Sequence, residues 1–291
     1  MKISGFTFIR NGVILGYPFV ESIKSILDIC DEFIVNVGSS SDNTIDRIKG
    51  INSSKIRIIE SVWNDKLNIK GYTYAQQKMI AQYSCTGDWL FYLEGDEVVH
   101  ENDLDKIVHT MKRSNDNKHI EAISFDYFHF YGNHHTIAVS PRWYRREARI
   151  IRGDIRTICP DSLFWCVLGK RNTLRGYPRA VHSGAKIYHY GWVRTQEQMN
   201  ARSKQVQKYW GNAHRDIDYG EVDPRSLSLF EGSHPSVMNH FLPKHAKREI
   251  FKTNPNYKLT WREKRHRFLM MLEKTLKMDF SKKHYIPVSN R

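Results

Sequence analysis

The sequence predicts a layered α/β domain built on a largely parallel sheet, with a helical, basic extension after it. Three observations carry that expectation. Within the first hundred residues, four short runs of strand composition alternate with stretches whose apolar residues recur at three- and four-residue spacing. The fourth run, Trp89–Leu93, is wholly apolar or aromatic and leads straight into Glu94-Gly95-Asp96-Glu97. Charge is also divided unevenly. Residues 1–139 hold 14 Lys+Arg against 18 Asp+Glu, residues 140–210 hold 15 against 4, and residues 258–291 hold 10 against 3.

Taken in order, Lys2–Ile9 is a strand that stops at the turn signal Arg10-Asn11-Gly12. Pro18 opens a helix with Val20, Ile23, Ile26 and Leu27 on one face. Phe33–Val37 is the second strand, followed by a small-residue loop, Gly38–Asp42, whose aspartate can cap the next helix. Ile56–Ile59 is the third strand, Tyr72–Tyr83 a helix, Trp89–Leu93 the fourth strand and Asp103–Lys112 another helix. Ala122–Phe130 is a long aromatic strand. The basic segment from Trp143 to Arg152 reads as a solvated hairpin or a phosphate-binding one, and Thr157–Arg179 as a long irregular loop. Lys186–Tyr190 is a short strand holding His189. Thr195–Trp210 is a polar helix, residues 211–257 are rich in proline and loops, and Leu259–Met278 is a basic helix with the apolar stripe Trp261, Phe268, Leu272 and Leu276. That last helix either docks on the body or meets a membrane or nucleic acid.

At 40% apolar and 12% aromatic residues the chain can bury a real core, so disorder is excluded as a default. No run of eighteen apolar residues predicts a transmembrane helix, and MKISGFTFIRNG does not read as a signal peptide. Cys30, Cys85, Cys159 and Cys166 form no CxxC pair, which predicts reduced thiols and a cytoplasmic protein, at most peripheral to a membrane or acting on DNA. The basic blocks predict an anionic partner. No GxGxxG follows the first strand and no P-loop signature occurs.

Three carboxylates within four residues repel one another unless something positive lies among them. Gly95 lets the chain turn there, and hard divalent cations take carboxylate oxygens while leaving positions for phosphate. The stretch is therefore a candidate metal–diphosphate site, or else an acidic turn before a helix. Ligands of parallel α/β sheets bind beyond the carboxyl ends of the strands. Arg10-Asn11, Gly38–Asp42 and Glu94–Glu97 all fall at such ends. His189 is either a core histidine or a metal ligand brought in on another strand. Asp161, isolated within the basic block, is either a loop aspartate or a general base.

With these residues the pattern resembles the family 2 glycosyltransferases of GT-A fold. The resemblance rests on FTFIRNG, VGSSSD and Glu94-Gly95-Asp96 at the place of the Asp-x-Asp motif. It extends to a bacterial subgroup through GDEVVHE, FHFYG, WYRRE, RIIR, YHYGWV and GSHPSVM. It implies a Rossmann-like, mostly parallel sheet flanked by helices, with a catalytic domain over residues 1–194; the helical, basic extension over 195–291 is read from the change of character after Trp192, and the resemblance says little about residues 241–291. It implies a metal-dependent, inverting transfer from a nucleotide-sugar, a UDP-sugar first of all, to an acceptor hydroxyl. Asp96, Glu94 and His189 would hold Mn²⁺ or Mg²⁺. Phe8, Arg10, Asn11, Gly38, Asp42, Gln76, Glu94, Gly95, Arg145 and Arg146 would bind the donor, and Asp161 would be the base. Asn36 and Val37 stand where two adjacent acids are usual, leaving Asp42 as the substitute contact to the nucleobase. The acceptor would be hydroxymethylated DNA or a lipid-linked envelope glycan. A nucleic-acid-binding protein with a degenerate site and a sugar nucleotidyltransferase are the alternatives.

Overall fold

A computed structural model describes residues 1–243 and 248–289. In chain order its strands and helices are β1 (Ile3–Ile9), α1 (Phe19–Leu27), β2 (Glu32–Gly38), α2 (Thr44–Lys49), β3 (Ile56–Ser61), α3 (Tyr72–Tyr83), β4 (Trp89–Tyr92), β5 (Glu97–Val99), α4 (Leu104–Ser114), β6 (Ala122–Tyr131), β7 (Asn133–Ala138), β8 (Arg146–Arg152), β9 (Thr157–Ile158), β10 (Cys166–Leu168), β11 (Leu174–Gly176), β12 (Arg179–Trp192), α5 (Gln196–Trp210), β13 (Leu227–Leu229), α6 (Trp261–Leu276) and β14 (Ile286–Pro287). The main sheet runs β13-β7-β6-β8-β4-β1-β2-β3, with β12 alongside β6 and carrying β5 and β14. Its first half, β3-β2-β1-β4, is parallel throughout. The second half is mixed, because β8 enters antiparallel between β4 and β6.

The central strands are buried on both faces, so their side chains alternate between two apolar layers. Trp89, Phe91 and Leu93 face the layer that α1 and α4 close with Ile23, Ile26, Ile107 and Met111. Leu90 and Tyr92 face the other layer with Phe6, Ile34, Ala75, Ala81 and Trp165. Between β2 and the segment after β3 the packing is tight. A side chain at Gly38 would collide with the Trp63 indole, so only glycine fits there.

Three segments differ from expectation. Thr157–Arg179 is not irregular throughout, since β9, β10 and β11 form a small antiparallel sheet within it. The basic segment is a central strand and not a solvated hairpin: Arg149 and Arg152 on β8 are buried. The short strand expected over Lys186–Tyr190 is the middle of the fourteen-residue β12. Of the expected carboxy-terminal extension, residues 244–247 and 290–291 lie outside the described residues.

Candidate active site

At the carboxyl ends of β1 and β4 the chain forms a cavity of about 180 Å³. Phe8, Ile9 and Arg10 from β1 and the turn after it form one wall, and Glu94, Gly95 and Asp96 the floor. Trp63, Tyr74, Tyr17 and Tyr92 supply aromatic faces, and Ser162 comes from the loop that carries Asp161. Helix α5 covers the cavity with Arg202, Gln205, Val206 and Trp210. The division expected at residue 194 therefore does not part the site from the residues beyond it. Arg10 donates to Tyr209 of α5 (2.8 Å), and Asp65 pairs with Lys208 (2.8 Å), tying the helix to the rim. A Thr195–Gln198 capping box fixes where α5 starts.

Register explains how a histidine reaches the acidic turn. Strand β5 pairs antiparallel with β12, opposing Glu97 to His189, and Tyr190 donates its amide to the Asp96 carbonyl (2.8 Å). His189 Nε2 then lies 3.6 Å from Asp96 Oδ1. The protons on this histidine follow from its partners. Nε2 of His129 lies 2.7 Å from the Tyr144 carbonyl, which can only accept, so that nitrogen carries the proton. Burial keeps His129 neutral by pushing it well below the usual histidine range. Its Nδ1 is thus an acceptor, and His189 Nδ1, 2.9 Å away, must donate to it. His189 is also pushed down by burial, so its Nε2 keeps a lone pair. That lone pair faces Asp96 Oδ1, a buried oxygen without a hydrogen-bond partner. At 3.6 Å no hydrogen bond fills the gap. A Cβ at position 191 would sit on His189 Nε2 and 3.1 Å from Asp96 Oδ2, so Gly191 keeps the space open. Two inward-facing donors of carboxylate and imidazole type, with room kept between them, fit a divalent cation.

The other Asp96 oxygen is taken. Oδ2 accepts from Arg194 (3.0 Å) and faces Arg202 (3.7 Å). Burial opposes ionisation of Asp96, but His189 in its protonated form and then Arg194 and Arg202 overcome it and hold the carboxyl at about 2. With His189 neutral near pH 7, the two guanidinium groups supply that pull. Glu94 moves the opposite way. Burial first and the neighbouring Glu97 second raise it, against the attraction of Arg149 at 3.5 Å. Arg149, fully buried, forks onto Glu97 (2.8 and 2.7 Å) and donates to the Leu163 carbonyl (2.8 Å). The buried Lys78 donates to the Ser162 carbonyl (2.9 Å) and sits over the Tyr92 and Trp165 rings. Two buried cations thus clamp the loop whose Asp161 caps the Leu163 amide (2.8 Å).

Several expected site residues go elsewhere. Among the described residues no three His, Cys, Asp or Glu side chains gather as a metal group, and Glu94 turns to Arg149, so the expected triad is not assembled and only Asp96 and His189 face each other. Arg145 is bound by Glu273 (2.6 and 2.7 Å) at the far end of α6, and Arg146 by Asp126 (2.6 Å). Neither guanidinium group lines the cavity. Asp42 has no oxygen left for a nucleobase. Oδ2 takes the Val13 and Ile14 amides and Oδ1 the Thr44 amide and hydroxyl. Asn11 is used in the same loop contact, accepting from the Ser41 amide (2.8 Å), and Gly38 backs Trp63. Gln76 is half-buried on α3 and does not line the cavity. Phe8, Arg10, Glu94, Gly95 and Asp96 do line it. Sequence pattern does not single out Trp63, Tyr74, Trp210, Arg194, Arg202 or Lys78, and His129 falls in the FHFYG stretch without its role showing there. Arg149 alone among the buried cations of the site falls in a motif, RIIR.

No family model and no curated protein matches this chain. Among solved structures it is similar to S. aureus TarS, with 13% identity and a TM-score of 0.39 over 71% of this chain and 39% of that one. It is also similar to glucosyl-3-phosphoglycerate synthase from Mycobacterium tuberculosis in complex with Mg²⁺ and uridine-diphosphate, with 18% identity and a TM-score of 0.31 over 43% of each chain. The chain spans less than half the length of these matched chains. Likenesses of this size carry no residue roles across.

Proposed function

We propose that the chain is a glycosyltransferase that takes its sugar from a nucleoside-diphosphate donor, with one divalent cation held by Asp96 and His189. One observation carries this. Asp96, which lines a cavity walled by aromatic rings and arginines, has one buried carboxylate oxygen left facing the imidazole lone pair of His189 behind it. Aromatic faces at Phe8, Trp63, Tyr74 and Trp210 suit a nucleobase, and the Arg202 guanidinium beside Asp96 suits a diphosphate. The cation, when bound, neutralises charge on the leaving diphosphate.

The chain's own residues do the rest. Arg194 and Arg202 keep Asp96 ionised, and His129 fixes the His189 tautomer. Helix α5 keeps bulk water from the donor. Asp161, on the loop clamped by Lys78 and Arg149, is the base that accepts the acceptor hydroxyl proton as that oxygen attacks the sugar carbon. Direct displacement inverts the anomeric centre. The donor's nucleobase is uracil on this proposal, and the acceptor is a hydroxyl on an anionic or membrane-borne molecule.

The test is release of nucleoside diphosphate from UDP-, GDP-, ADP- and dTDP-sugars with Mn²⁺, with calorimetric titration of each nucleotide alongside. Turnover and binding of one nucleotide, both lost in Asp96→Ala, is the expected outcome. No release and no nucleotide binding would remove the transferase assignment. Pyrophosphate formed from a nucleoside triphosphate and a sugar phosphate would mark a nucleotidyltransferase instead.

A further inference from the structure

Helix α6 sits on the body with its polar side inward. Its buried residues are Glu263 and His266. Glu263 closes a capping box at Thr260 and accepts from Tyr257 (2.9 Å). Arg267 forks onto Asp223 (2.7 Å for each bond), and Glu273 takes both ends of Arg145 (2.6 and 2.7 Å). Ion pairs therefore hold the helix where an apolar stripe would be expected to. Met270 faces the body beside Glu263 and His266, but four other large apolar residues point the other way: Trp261 is 75% exposed, Met271 57%, Phe268 54% and Leu276 53%. Met278 (57%) and Phe280 (38%) extend the patch past the helix end. At 3.6 residues per turn Trp261, Phe268, Leu272 and Leu276 share the outer face. Exposed Lys264 and Arg265 border it, with Arg262, Lys274 and Lys277 further round.

Such a patch on a folded protein marks a contact surface, since single exposed apolar residues are common but an aligned row is not. We propose that α6 is a membrane-surface helix, lying flat on an anionic bilayer with Trp261, Phe268, Met271 and Leu276 in the headgroup–acyl boundary and its basic residues on the headgroups. Charge and apolarity point to one occupant here. Duplex DNA would take the lysines and arginines but gains nothing from a bare Trp-Phe-Leu row. A second copy of the chain would bring the same excess of ten basic over three acidic residues in 258–291 against itself. No helix among the described residues is long and apolar enough to cross a membrane, so the contact is one of lying on the surface. The inference rests on the proposed transferase function only for its purpose, which is to bring the cavity to a lipid-linked acceptor.

The test uses the full chain and co-sedimentation with phosphatidylcholine vesicles, with and without phosphatidylglycerol. Anionic vesicles should be bound at least about tenfold more tightly than neutral ones. The triple variant Trp261→Ser/Phe268→Ser/Leu276→Ser, which keeps every charge, should weaken that binding at least about tenfold. Donor hydrolysis, measured without vesicles, should be the same in both proteins, so the membrane contact and the transferase function can fail separately. No preference for anionic vesicles, or full binding by the triple variant, overturns the proposal. So does a dimer, seen by light scattering, that the variant splits. Binding to duplex DNA that the variant weakens as much as vesicle binding would give the face to nucleic acid and also overturn it.

Discussion

Replacing Arg149 with methionine tests the buried network beneath the site. The guanidinium has no exposure, makes two bonds to Glu97 (2.8 and 2.7 Å) and one to the Leu163 carbonyl (2.8 Å), and lies against the Tyr92 and Tyr127 rings. Methionine fills much of the stem but leaves Glu97 fully buried, with the Tyr127 hydroxyl (2.8 Å) and the Glu94 amide (3.1 Å) as its remaining donors. Breaking a buried pair by removing one partner costs about 3–5 kcal/mol, most of it from the stranded charge. That is a large share of the roughly 5–15 kcal/mol that stabilises a typical protein. Urea unfolding followed by tryptophan fluorescence should show a loss of this size. The double variant Arg149→Met/Glu97→Gln removes the stranded charge and should recover at least about 2 kcal/mol. The protein that remains folded should also turn over slowly with little change in donor affinity, because Leu163 belongs to the Asp161 loop. A loss below about 1 kcal/mol, or a double variant no better than the single one, would show that Arg149 and Glu97 do not act as a desolvated pair.

Four further outcomes are expected. Asp161→Asn should lower turnover roughly 10²–10⁴-fold with donor binding intact, checked by single-turnover kinetics beside nucleotide titration. Lys78→Met frees the Ser162 carbonyl, so it should lower turnover and shift the pH–rate profile of the base; an unchanged profile would place Lys78 outside the loop's control. His129→Leu removes the acceptor that sets the His189 tautomer and should weaken Mn²⁺ binding about 10–100-fold, read by electron paramagnetic resonance without any substrate. Stability should fall as pH drops below about 6.5, because burial pushes His129, His134, His189, His234 and His266 below the unfolded value and the unfolded chain then binds more protons. His234, lowered to about 4, extends that loss to about pH 4, and unfolding midpoints at pH 7.5, 5.5 and 4.5 would read it.

Sequence pattern discloses what is local and conceals what depends on a partner. The run Trp89–Leu93, the turn Glu94–Glu97 and the parallel order of the first strands follow from contiguous residues, and the structure has them. The stripe on α6 is visible too, but periodicity states only that a face exists. The ion pairs of Arg267 and Glu273 decide which way it turns. Arg145, Arg146 and Arg149 are alike as letters. Their fates separate only because β8 is inserted between β4 and β6, where Arg149 meets Glu97 while its two neighbours turn to Glu273 and Asp126. His189 stands out as a lone histidine in a strand, whereas Arg194 and Arg202 lie at and past the expected boundary, in a stretch that reads as ordinary polar helix.

The acidic turn shows the same division most clearly. Three carboxylates in four residues call for positive charge, and one cation is the source expected from sequence. The structure supplies three guanidinium groups: Arg149 serves Glu97 and Glu94, while Arg194 and Arg202 serve Asp96. With Glu94 raised and tending to hold its proton near neutrality, the turn and its arginines together are neutral to positive without any metal. Charge balance within the protein is then not what a cation between Asp96 and His189 would serve. What such a cation would add is charge toward the cavity, where a diphosphate would lie against Arg202. A floor already balanced from behind can give nearly all of its added charge to an anionic leaving group.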